Sequence, residues 1–243
     1  GLTPATELIF GLPCETRESF VTTIEKSISY GFDRIHPQML TLLDGAEVNR
    51  NSQRIEFGIQ SKYRLFMNYY GYINGTFTGE SEEIVTSSNS FSFEDFLFVR
   101  YLSFMLYAVY SLHFNRLFFK EIIFGGIKIT DFFHAFFFPD KNQSWPEKYL
   151  LFLSDLKDAC TGELYDTKEE LVEAVEQKYI ENDYNPLPPT KINNFFGSRL
   201  VFHEKEWHSE VLGRILKQCN TRESVVDEFS RFNFLLKFYE KQL

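Results

Sequence analysis

The spacing of apolar positions changes twice within the first 45 residues. A short apolar run, Glu7–Phe10, ends in Gly11-Leu12-Pro13 and predicts a buried strand leading into a turn. Phe20, Ile24 and Ile28 then recur at helical spacing up to Tyr30. Thr16 offers an N-cap, Glu18 lies in the first turn where the helix dipole favours an acid, and Gly31 closes the helix. A second apolar run, Arg34–Leu43, is interrupted by Pro37 and predicts another strand ending at Asp44-Gly45. Strand, helix and strand joined by short links make a βα unit of a parallel sheet or barrel.

From Asn49 the pattern loosens. Asn49–Gln60 is polar and predicts a linker or short helix, and Tyr63–Tyr72 and Glu83–Ser88 predict strands or extended loop around Gly71, Gly75 and Gly79. Helical spacing dominates beyond them. Ser92 caps a helix through Phe96, Val99, Leu102, Leu106 and Val109, and Glu121–Phe138 follows with a break at Gly125-Gly126. Pro146 starts a helix reaching about Ala159, and Thr167 with Glu170 forms a capping box for another to about Tyr179. Asn185-Pro186-Leu187-Pro188-Pro189 reads as a rigid connector, ahead of two last helices over His203–Gln218 and Arg222–Lys241, the second capped by Thr221. The predicted architecture is α+β: a strand–helix–strand unit over residues 1–50 and a predominantly helical region over 51–243.

Composition adjusts this picture in three places. Phe contributes 28 of the 243 residues, so the chain buries bulky rings, among its own helices or against a partner. The stripe from Phe91 to Phe138 is read first as core packing; the alternatives are a docking face and a cover over a long apolar substrate. The formal charge of −9 argues against nucleic acid as a main ligand. Cys14, Cys160 and Cys219 are scattered and odd in number, which is no disulfide framework and fits a reducing cytoplasm. The longest uncharged apolar stretch, Tyr101–Phe114, falls short of the roughly 20 residues that cross a bilayer, so no membrane partner is expected. The first residues, Gly1-Leu2, include no Met, and further sequence is expected upstream.

Glu7-Leu8-Ile9-Phe10-Gly11-Leu12-Pro13-Cys14-Glu15-Thr16 resembles the fifth-strand motif of radical S-adenosylmethionine enzymes. In their cobalamin-binding and methylthiotransferase-like branches, an apolar strand is followed by Gly-Leu-Pro-Gly-Glu-Thr and a helix. Asp33–Leu43 with Asp44-Gly45-Ala46-Glu47 is similar to the sixth strand there, and Ser92-Phe93-Glu94-Asp95-Phe96 with Arg100 is similar to the C-terminal region. The resemblance covers about 50 residues closely and about 60 more loosely, and nothing in the rest. It implies that residues 1–50 are the last strands of a partial (β/α) barrel. It also implies cofactor contacts at Ile9 and Gly11, a turn braced by Glu15, and apolar contact from Met39 or Leu40. The parent would cleave S-adenosylmethionine reductively with a 4Fe-4S cluster, with methyl transfer through cobalamin as a variant. Its partners would be the upstream barrel and a cobalamin domain of the same polypeptide.

Two departures from the family stand out. Cys14 replaces the usual Gly, which alters the turn if that position needs a positive φ. No Cys-x3-Cys-x2-Cys occurs, and three thiolates at that spacing are what would hold the cluster. The chain alone is therefore expected to be inactive and to bind neither iron nor S-adenosylmethionine tightly. A cut barrel also leaves bare strand edges, so a homo-oligomer through residues 1–50 is expected. The residues by themselves admit two blander readings: a strand-to-helix turn and nothing more, and a non-catalytic helical interaction domain.

Other constellations carry less. His203 and His208 flank Glu204 and Glu206 in the manner of a zinc-protease helix, but they stand five residues apart rather than four, and Trp207 takes the required place. His134, among Phe132, Phe133 and Phe136, is expected to be a core residue.

Overall fold

The computed structural model describes residues 4–107, 126–181, 189–200 and 205–219. The expected connector over 185–188, the positions Val109 and His203, and the final helix over 222–241 lie outside them.

Strand β1 (Ala5–Phe10) and strand β2 (Arg34–Met39) pair in parallel, with Ile9 opposite Gln38 and Phe10 opposite Met39. Helix α1 (Arg17–Ser29) connects them, as the change in apolar period predicts. The Thr16 hydroxyl accepts from the Ser19 N–H, and the Ser19 hydroxyl accepts from the Thr16 N–H. This reciprocal box satisfies two of the donors that a helix start leaves free. At the other end Gly31 takes φ +86° while its N–H reaches the Ile28 carbonyl and the Phe32 N–H reaches that of Ser27. Those two bonds form a Schellman stop, which a glycine adopts at little steric cost. Phe20, Val21, Ile24 and Ile28 are buried, and the Phe20 ring stands 5.1 Å from that of Phe10.

Beyond β2 the chain crosses to a second sheet. Val85 N–H donates to the Leu40 carbonyl and Leu42 N–H to that of Glu83, so the end of β2 is laced to a hairpin. A 3-10 turn (Glu47–Asn49) and helix α2 (Asn51–Glu56) lie between, where a linker or short helix is expected. The hairpin, strands β3 (Gln60–Ile73) and β4 (Thr76–Ser87), is longer and more continuous than the expected strands over Tyr63–Tyr72 and Glu83–Ser88. Asn74 and Gly75, both at positive φ, form its two-residue turn. An Asn-Gly pair matches the right-handed twist of the flanking strands, and that signal alone predicts the hairpin.

Six helices follow among the described residues: α3 (Phe93–Met105), α4 (Ile129–Phe137), α5 (Glu147–Gly162), α6 (Lys168–Ile180), α7 (Pro189–Ser198) and α8 (Lys205–Gln218). Ser92 with Asp95 and Thr167 with Glu170 form the capping boxes of α3 and α6. Helix α3 is buried on nearly all sides and is the axis of one apolar cluster running from Phe10 to Leu216. A smaller cluster of Leu65, Phe77, Leu171 and Val175 sets α6 against the hairpin. The fold is thus mixed α and β.

Phe91, Phe96, Phe98, Phe104, Phe132, Phe133 and Phe136 are buried, so most of the described aromatic stripe is core, while Phe138 at its end is exposed. His134 differs from its expectation. It sits on the exposed side of α4, its ring 5.1 Å from that of Phe138, because the helical period turns it away from Phe132, Phe133 and Phe136. Among the described residues no helix is long and apolar enough to cross a membrane.

On α8, the His208 Nε2 is buried and has no hydrogen-bond partner among the described residues. Burial pushes its pKa down to about 4. A depressed histidine makes the unfolded chain the better proton binder, so stability is full above the unfolded pKa and lost as pH falls toward 4. The expected loss between pH 7 and pH 4.5 is about 2 kcal/mol, at about 1.4 kcal/mol per pKa unit. Urea unfolding at both pH values should show this difference in the parent and a smaller one in His208→Leu; equal pH dependence in the two would refute it.

Candidate functional site

The turn between β1 and α1 is organised around one carboxylate. Glu15 folds back so that its Oε2 accepts from the Gly11 N–H at 3.0 Å, while the Glu15 N–H donates to the Leu12 carbonyl at 3.1 Å. Burial raises the Glu15 pKa, and the Gly11 and Leu12 backbone hydrogen bonds offset part of the rise. Gly11 lies at φ +104° and Cys14 at φ +66°. The position where the family carries glycine does need a positive φ, and a cysteine holds it under strain. A left-handed conformation costs an ordinary residue about 1–2 kcal/mol. Cys14→Gly should therefore raise the free energy of unfolding by about 1 kcal/mol, allowing for glycine's greater freedom in the unfolded chain. Equilibrium denaturation decides this, and a variant no more stable than the parent would count against it.

The five residues carried over from the family do not converge on one opening. Ile9 points outward and is 47% exposed, with exposed Leu12 and Leu43 also carrying apolar surface. Gly11 and Leu40 share a sheet face covered by the chain's own Phe91: a Cβ on Gly11 would lie 3.4 Å from the Leu40 Cβ and 3.5 Å from the Phe91 ring. Met39, opposite Phe10 in the strand register, is buried, and Phe10 itself packs on Phe91 at 4.7 Å. The glycine requirement at Gly11 thus has a cause within the fold, the backbone sign and the Phe91 cover. Phe91 is the residue that sequence reasoning missed, although its place one residue before the Ser92 cap marked it as a helix-entry anchor.

The thiols offer no cluster site. Cys14 is exposed, Cys160 is buried in α5 with its pKa pushed up to about 12 by burial, and Cys219 is partly buried. Among the described residues no group of three His, Cys, Asp or Glu side chains is placed to hold a metal. The residues present do not fit a 4Fe-4S cluster.

A second assembly of polar groups lies on the other side of β2. Arg100, near the middle of apolar α3, is 2% exposed and donates from Nε to Glu163 Oε1 at 2.9 Å and from Nη1 to Asn193 Oδ1 at 2.7 Å. Burial works to lower its pKa, and the Glu163 carboxylate, with smaller contributions from Cys160 and Tyr101, raises it overall, so the guanidinium stays charged. Arg64 of β3 is 6% exposed, donates from Nε to Glu82 Oε1 at 2.6 Å, and stands 3.7 Å from Glu163. Glu82 also accepts from the Thr41 hydroxyl, and Glu163 Oε2 is buried without a hydrogen-bond partner among the described residues. Beside these groups opens a cavity of about 180 Å³.

Set against known proteins, the chain matches no family model, and no curated protein matches it.

Proposed function

We propose that this chain is the C-terminal portion of a radical S-adenosylmethionine enzyme: the last two strands of its barrel with a C-terminal extension packed onto them. The observation that carries the reading is the β1–α1–β2 unit itself. Its strands are parallel, and its connecting turn joins Gly11 and Cys14 at positive φ to a Glu15 brace. On this reading the 4Fe-4S ligands and most contacts to S-adenosylmethionine come from polypeptide preceding residue 1, in a cytoplasmic enzyme. Cobalamin-dependent methyl transfer is the variant with a further N-terminal domain. The parent cleaves S-adenosylmethionine reductively, and this chain supplies the Gly11 turn and the apolar Ile9 surface at the end of the barrel. The test is the upstream reading frame, followed by the extended protein. An in-frame Cys-x3-Cys-x2-Cys, iron–sulfur absorbance after anaerobic reconstitution and release of 5′-deoxyadenosine support it; a frame that opens at residue 2 overturns it.

The same reading bears on association. The outer edge of β1 carries no strand among the described residues, and Ile9 is exposed near its end. Without the preceding strands, the isolated chain should pair this edge with a second copy. Sedimentation equilibrium is expected to show a dimer that Ile9→Lys weakens, and a clean monomer at tens of micromolar ends the idea.

A further inference from the structure

The cavity beside β2 has a cationic lining in a chain whose formal charge is −9. Arg64, Arg100, Tyr107 and Asn193 stand on its polar side together with His36, Gln38 and Ser103, and Pro37 and Met39 are among its apolar lining. Glu82 and Glu163 bind the two guanidiniums but do not line the space. Buried charges persist only where their donors are used, and here some remain for an incoming group. The terminal nitrogens of Arg64 have no hydrogen bond among the described residues; only its Nε does, to Glu82. Asn193 turns its oxygen to Arg100, which leaves its NH2 group as a donor. The outer edge of β2 carries no strand among the described residues, and Pro37 within it has no N–H to offer. The volume of about 180 Å³ far exceeds the roughly 10–15 Å³ that one water needs.

We propose that this cavity binds a small carboxylic acid, with its carboxylate on Arg64 and the Asn193 NH2 and a short apolar tail against Pro37 and Met39. A planar guanidinium fork matches a carboxylate in shape and charge. A phosphate dianion would bring a second charge against a wall that is half apolar, at a larger desolvation cost than a carboxylate. The inference concerns residues of this chain alone and stands or falls independently of the barrel reading.

Isothermal titration of the 243-residue chain with acetate, isovalerate, phenylacetate and inorganic phosphate tests it. The expected result is one-to-one binding of isovalerate or phenylacetate, tighter than acetate, with phosphate at least tenfold weaker. Asn193→Asp keeps the acceptor for Arg100 but adds a negative charge to the lining. It should weaken carboxylate binding at least tenfold while its thermal midpoint stays at or above the parent's. Arg64→Gln should weaken binding as much where it folds, and Asn193→Asp carries the test where it does not. No binding by any of the three acids, phosphate binding as tight as theirs, or undiminished affinity in Asn193→Asp overturns the proposal.

Discussion

Glu163→Ala is expected to cost about 3–5 kcal/mol, the range seen when one partner of a buried ion pair is removed. Arg100 would be left 2% exposed in the apolar cluster with Asn193 but without its carboxylate, and Arg64 would lose the same charge at 3.7 Å. Such a loss is a large fraction of the roughly 5–15 kcal/mol that holds a typical domain together. The variant should therefore be only marginally folded at 25 °C. The double variant Arg100→Met/Glu163→Leu removes both charges, and it should recover at least about 2 kcal/mol over the single change, because uncompensated desolvation is the main cost. Urea titrations of the three chains decide it. A Glu163→Ala loss under about 1 kcal/mol would mean that water reaches the pair.

The ion pair also shows where the sequence stops being readable. The first 45 residues are legible because each element carries its own local signal: Thr16 as a cap, Gly31 as a stop, and apolar spacing that changes between α1 and its two strands. Those signals depend on neighbours within a turn or two. Asn74-Gly75 marks the hairpin turn locally, whereas Gly71 and Gly79 lie within its strands, where glycine carries no strand signal of its own. Arg100 in the middle of an apolar helix required a buried partner, but Glu163 and Asn193 lie 63 and 93 residues away, and no local pattern names them. The same holds for Phe91 over Gly11. Long-range packing decides which residues meet, and no local pattern shows that Leu40 lies beside Phe91 or that Met39 borders the cavity at β2.

Gly11→Val separates the two explanations for that glycine. If Gly11 matters only for a bound cofactor, the isolated chain should tolerate valine. The geometry predicts otherwise. At φ +104° a β-branched residue is strained, at a cost of about 1–3 kcal/mol. The new Cβ would already touch Leu40 and Phe91 at 3.4 and 3.5 Å, so the two γ-methyls beyond it are expected to press on the Phe91 ring. Overpacking of that kind adds about 1–3 kcal/mol. A loss of about 3 kcal/mol is expected in chemical denaturation with no ligand present. Gly11→Ala should lose only about 1–2 kcal/mol, from the backbone sign, since its single methyl makes ordinary contacts. Adding Phe91→Leu to the valine variant should return part of the overpacking cost, although Phe91 also packs on Phe10 at 4.7 Å, which limits the recovery. A valine variant within about 1 kcal/mol of the parent would show that Phe91 yields freely, and would return Gly11 to the ligand.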